Sequence, residues 1–103
     1  MAMNARLEYL YRSTSNYKEW GKIVFAGAPN EQITRRLLDA LEDHEFFIAE
    51  QVRIPELFFD DGLDREDDRR WHELSVLEAT TEEATDELAR TIESFVAECE
   101  AAS

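Results

Sequence analysis

Leu7, Tyr9 and Tyr11 alternate with Arg6, Glu8, Leu10 and Arg12. A period of two puts successive side chains on opposite faces of a strand, so this run predicts a strand with one apolar and one wetter face. A strand of that kind needs a sheet around it, because its backbone donors and acceptors require partners. The next run supplies one: from Tyr17 to Gly27 the chain carries Trp20, Ile23, Val24 and Phe25, the aromatic and β-branched residues that favour strands. Ser13-Thr14-Ser15-Asn16 between the two runs is a polar connection suited to a hairpin. Gly21, inside the second run, marks a bulge or a close backbone approach.

The period then changes. Gly27-Ala28-Pro29 breaks the sheet, Asn30 stands where a helix N-cap belongs, and Ile33, Leu37, Leu38 and Leu41 follow helical spacing. The helix is expected to end near Asp43 or His44. Glu45-Phe46-Phe47-Ile48-Ala49-Glu50 reads as a third strand, its alternation carried on by Val52 and Ile54 as far as Pro55. Trp71 to Ala79 reads as a fourth, with Leu74 and Val76 on one face and Trp71, Ser75 and Leu77 on the other. Thr80-Thr81-Glu82-Glu83 fits a capping box, which predicts a last helix with Ala84, Leu88, Ile92, Phe95, Val96 and Cys99 along one side. The order β-β-α-β-β-α predicts a single α+β domain over residues 1–103, a mainly antiparallel sheet with two helices on one face.

Between the third and fourth strands runs a segment with no apolar period. Pro55 to Leu74 is an acidic stretch held between Leu57, Phe58 and Phe59 on one side and Trp71 and Leu74 on the other, with its loop at about residues 59–70. Charge is unevenly spread around it. Residues 1–55 carry eight acidic and seven basic side chains, and residues 56–103 carry sixteen and four. Almost the whole net charge of −13 therefore lies in the second half. Such a balance argues against direct binding to nucleic acid or anionic lipid, which attract Lys and Arg. A salt-adapted surface would acidify the whole chain, and the near-neutral first half does not fit that.

The single cysteine, Cys99, excludes an internal disulfide framework and a zinc site built on several thiolates. The start of the chain has no apolar run like a signal peptide, and no apolar run is long enough to span a bilayer. The expectation is a reduced, cytoplasmic protein.

Three blocks of sequence, Asn16-Tyr17-Lys18-Glu19-Trp20-Gly21, the run from Glu45 to Val52 followed by Pro55-Glu56-Leu57, and Trp71-His72-Glu73-Leu74, resemble a group of small, acidic, uncharacterised bacterial proteins. The resemblance implies one compact cytoplasmic domain and brings no chemistry with it. Members of that group often carry Gly at the position of His44 and Pro at that of Ala49, so the helix end and third strand are expected to be shaped differently in this chain.

Asp60, Asp61, Asp64, Glu66, Asp67 and Asp68 have the ligand type of a hard-cation site. Their spacing does not: an EF-hand register begun at Asp60 puts Gly62 and Trp71 where acidic ligands belong, and Arg65, Arg69 and Arg70 compete as cations. No metal and no cofactor are expected. His72, Glu73 and His44 are the material for acid–base chemistry, but neighbouring residues of a strand point to opposite faces, so no catalytic residue is assigned. On the last helix Glu82 and Asp86, and Glu83 and Glu87, are like-charge pairs four apart, while Glu93, Glu98 and Glu100 continue toward the end where the helix dipole disfavours them.

These features lead to the expectation of a non-enzymatic binding or regulatory protein of inhibitor, immunity, antitoxin or nucleic-acid-mimic type. Its docking surface for a basic partner protein would consist of Asp60, Asp61, Asp64, Glu66, Asp67, Asp68, Trp71, Glu83 and Glu87. The alternatives are a homo-oligomeric structural protein, such as a homodimer joined through a sheet edge, whose acidity serves only solubility or salt tolerance, and a small enzyme using His72 or His44.

Overall fold

The computed structural model describes residues 3–12, 18–55, 57 and 71–102. Its order is β-β-α-β-β-α: β1 (Asn4–Arg12), β2 (Lys18–Phe25), α1 (Glu31–Ala40), β3 (Phe46–Ile48), β4 (Trp71–Thr80) and α2 (Ile92–Ala102), with a 3-10 turn at Ala49–Val52. The strands form one antiparallel sheet in the order β2-β1-β4-β3. The polar connection at Ser13–Asn16 lies outside the described residues, but the strands on either side of it pair in hairpin register, from Arg12 opposite Lys18 to Ala5 opposite Phe25.

Alternation along β1 decides the layering. Ala5, Leu7, Tyr9 and Tyr11 are buried on one face. Leu37 of α1 and Ile92, Phe95, Val96 and Cys99 of α2 complete a core with most of them. Phe25 stacks on Phe95 at 4.4 Å between ring centroids, so α2 lies on the same face as α1. Burial of these apolar side chains is the main stabilising term of the fold, about 1.5–3 kcal/mol for each large one.

Asn30 caps α1 as its residue type demands: its backbone is extended and its side-chain oxygen accepts the Ile33 N–H at 2.8 Å. The helix stops at Ala40, earlier than its apolar spacing suggests. Asp43 and His44 then take left-handed backbone angles, with φ 53° and 58°, and the corner turns into β3. His44 thus occupies a conformation that glycine adopts without strain. β3 is only three residues long; Val52 and Ile54 are buried from a 3-10 turn and its exit, and do not continue the strand.

In β4 the register slips by one residue, between the pairs Glu8 with Val76 and Tyr9 with Leu74. An extra residue in one strand reverses the facing of everything beyond it. Leu74 and Leu77 consequently both pack against the core, which corrects the assignment of Leu74 and Val76 to one face and Leu77 to the other.

The last helix is also corrected. β4 runs through Thr80, and residues 81–91 form an irregular crossing before α2 begins at Ile92. Thr80 Oγ1 does accept the Glu82 N–H at 3.2 Å, but no helix follows it. Leu88 is exposed rather than on an apolar helix face. The crossing is held to the outer side of β2, where Thr85 donates its N–H to Val24 O at 2.8 Å and accepts the Val24 N–H on its hydroxyl at 2.9 Å.

Among the described residues, no helix is long and apolar enough to cross a membrane.

Candidate functional site

Asp60, Asp61, Asp64, Glu66, Asp67 and Asp68 lie outside the described residues, as do Phe58 and Phe59. The residues on both sides of that segment are described, and they are brought together. Tyr9 donates its hydroxyl to Pro55 O at 2.6 Å, and the Leu57 N–H donates to His72 Nε2 at 2.9 Å. Leu57 is half-buried and packs on the core. His72 is the neighbour of Trp71, so the chain, which left the sheet after Ile48, is fastened at Leu57 by the side chain one residue beyond its point of re-entry.

Gly21 makes this fastening possible. A Cβ there would stand 2.8 Å from the Tyr9 ring and 3.1 Å from Leu57 Cδ2, so the ring and the leucine occupy space that any other residue would fill. The glycine is a close approach rather than a bulge. Burial of the Tyr9 phenol pushes its pKa up to about 12, because an apolar environment disfavours the phenolate.

His72 is completely buried. Its ring lies 5.5–5.9 Å from those of Tyr9, Tyr11 and Phe47. Because Nε2 accepts an N–H, the proton of the neutral ring sits on Nδ1. Held this way, the ring serves as a structural tether. His44 is exposed; its Nδ1 is 3.1 Å from Leu38 O and 3.7 Å from the Asp39 carboxylate, beyond hydrogen-bond reach.

Trp71 is exposed at 49%. It shares a face with Trp20, exposed at 53%, because Trp20, Leu10 and Glu73 are aligned across β2, β1 and β4 and Trp71 precedes Glu73 by two. Glu83 and Glu87 are exposed as well, although on the irregular crossing and not on a helix. Among the described residues, neither has an ion-pair partner.

Other carboxylates are neutralised inside the molecule. Glu82 receives Arg6 at 3.1 Å and Lys22 at 2.7 Å, and the Thr80 hydroxyl at 3.0 Å. Lys22, Thr80 and Arg6 hold its carboxyl down to about 2. Glu100 pairs with Arg36 at 2.7 Å, which lowers its pKa. Glu98 pairs with Arg53 and Arg90. The unfavourable placing of Glu98 and Glu100 toward the end of α2 is therefore compensated from within the fold.

Arg90 is the residue that the sequence least advertises. It is buried, and all five of its N–H groups are used: Asp86 takes two at 2.9 Å, Val52 O one at 2.7 Å, Arg53 O one at 2.9 Å, and Glu98 the last. Its guanidinium also lies 5.3 and 5.5 Å from the Phe95 and Phe25 ring centroids. One side chain thus joins the 3-10 turn, the crossing and α2. The only hint in sequence is its spacing from Asp86.

Among the described residues, no group of three or more His, Cys, Asp or Glu is arranged to hold a metal ion. Cys99 is buried, and desolvation pushes its thiol up to about 12. The fold and site define a small α+β protein with a four-stranded antiparallel sheet, one aromatic tether and an acidic segment leaving from it. Set against protein-family models, curated proteins and solved structures, the chain matches none.

Proposed function

We propose a cytoplasmic, non-enzymatic binding or regulatory protein that docks on a basic surface of another protein. The segment from Asp60 to Asp68 and the neighbouring Trp71 would form the contact, with Glu83 and Glu87 contributing to its field. The observation that carries the reading is the double fastening of the segment's start, Tyr9 to Pro55 and His72 to Leu57, next to the exposed Trp71 at its end. Holding both ends at fixed positions lowers the entropic cost of presenting the segment to a partner. An exposed tryptophan beside charge is a common anchor of an interface, while complementary charge speeds encounter and selects the partner.

Glu82, Glu98 and Glu100 are paired within the fold, which leaves them less to offer a basic partner than the residues named above. The reading is tested by replacing Asp60, Asp61, Asp67 and Asp68 with Asn and measuring affinity for proteins captured by the unmodified chain, at low and high salt. Loss of affinity together with a shallower salt dependence supports it; unchanged affinity refutes it.

A further inference from the structure

We propose that the outer edge of β4, from Val76 to Thr80, takes an extended basic peptide as an added strand. The inference rests on reading the chain as a partner-binding protein, and it makes no use of the residues between Leu57 and Trp71. β3 pairs only with Trp71 to Glu73. The last bond on that side is from the Leu74 N–H to Glu45 O, at 2.8 Å. Beyond it β4 continues for six residues, paired with β1 alone among the described residues.

The direction of its free amides follows from β2. Val24 gives its N–H and C=O to Thr85, so its β1 neighbour Arg6 bonds across to Glu78 on the other side. Leu77 and Ala79, the residues on either side of Glu78, therefore point their N–H and C=O groups away from β1. Two donors and two acceptors stand ready in register for an incoming strand.

The other outer strand is guarded. β2 carries Lys18 and Lys22, the only lysines of the chain, and edge lysines deter strand addition. Val76-Leu77-Glu78-Ala79-Thr80 has no lysine, arginine or proline. Beside it a groove of about 670 Å³ separates β4 from α1, with Pro29, Thr34, Leu38 and Leu77 in its walls. Alternate side chains of an added strand would enter this groove and should be apolar.

The remaining side chains would lie on the side of Glu78. Glu31, Asp39 and Glu78 line the groove, and Glu42, Asp43 and Glu45 are exposed at the corner where β3 begins. Arg35 and His44 oppose them on the groove wall, and Arg6 pairs with Glu78. Carboxylates outnumber cations around this edge as a whole, so the strand should be basic overall, with its Lys or Arg on the side of Glu78 because the groove side is taken by apolar side chains. A second copy of this chain would bring the same carboxylates against themselves, across a pair of molecules each of net charge −13.

The test is an NMR titration of the isotope-labelled full chain with an acetylated hexapeptide of alternating valine and lysine. A second peptide is the same except that its valines are N-methylated and cannot donate. The first should shift the resonances of residues 76–80 and of α1, and near saturation slow exchange of the Leu77 and Ala79 amides by about tenfold. The second should do neither. Equal effects of both peptides, shifts confined to other surfaces, or protection of Leu77 and Ala79 by self-association without peptide would overturn the proposal. The same result is expected from the Asp60, Asp61, Asp67 and Asp68 to Asn variant. If that variant alone loses the effect, the edge is not the site, while the acidic-segment reading stands.

Discussion

The imidazole of His72 accepts the backbone N–H of Leu57 across fifteen residues of sequence, at 2.9 Å and out of contact with water. With the Tyr9 hydroxyl on Pro55 O, it decides where the acidic segment starts. His72→Phe keeps an aromatic ring in the cluster but leaves the Leu57 N–H without its acceptor. It should lower unfolding free energy by about 1–3 kcal/mol. Urea unfolding measures this, and an unchanged midpoint would show that the tether contributes nothing.

Gly21→Ala tests the packing beneath the same tether. The new methyl would meet the Tyr9 ring at 2.8 Å and Leu57 at 3.1 Å, and both are held by hydrogen bonds on or beside them. A cost of about 1–3 kcal/mol is expected, as for other overpacked cores. Tyr9→Phe should relieve none of it, because the ring and not the hydroxyl makes the contact.

Asp86 and Arg90 form a two-point pair with both side chains almost fully buried. Asp86→Ala would leave the guanidinium with Glu98 and two carbonyls, and should cost about 3 kcal/mol, near the lower end for breaking a buried pair. Ala89, next to Arg90, has φ 53°. Ala89→Gly removes that strain and should raise stability by about 1 kcal/mol. Thermal unfolding of the two variants should move in opposite directions.

Stability should change at both ends of the pH scale. Glu82, Asp86 and Glu100 have folded pKa values below their ordinary ones, through Lys22, Arg90 and Arg36 respectively. Glu82 contributes stability that is present above 4.5 and lost as pH falls toward about 2, and Asp86 and Glu100 likewise lose theirs as pH falls below their ordinary values of 3.8 and 4.5. Tyr9 is the reverse: its pKa, raised from 10.0 to about 12, gives stability that is full below 10.0 and lost as pH rises through the folded value. Urea midpoints across pH should trace both declines, and Tyr9→Phe should remove its share of the alkaline one.

The first half of the fold is legible because its signals are local. Alternation at Leu7, Tyr9 and Tyr11 and the cap at Asn30 depend on neighbours in sequence, and both appear as expected. The errors come from long-range effects. The bulge in β4 arises from pairing with β1 and reverses the facing of Leu77 without a glycine or proline to announce it. The residues read as the first turns of the last helix bond instead to the outer side of β2, through Thr85 and Val24. There the gain from capping an exposed strand edge outweighs helix propensity, which is a weak preference. Arg90 is hinted at only by its spacing from Asp86, because its other partners at residues 52, 53 and 98 meet it only in the folded chain. Of the residues proposed for the site, Trp71 is exposed, and Glu83 and Glu87 are exposed on a crossing rather than a helix.

The central claim is that a particular acidic segment, and not acidity in general, is the docking surface. Two variants of identical net charge separate these: Asp60, Asp61, Asp67 and Asp68 to Asn, and Glu19, Glu31, Asp43 and Glu93 to Gln or Asn. Affinity for the captured partner, measured by calorimetry at fixed salt, should fall by about tenfold or more for the first. It should change by no more than about threefold for the second, as expected of removing scattered exposed charges. Equal losses in the two variants would contradict the account, because bulk charge alone would then explain the binding.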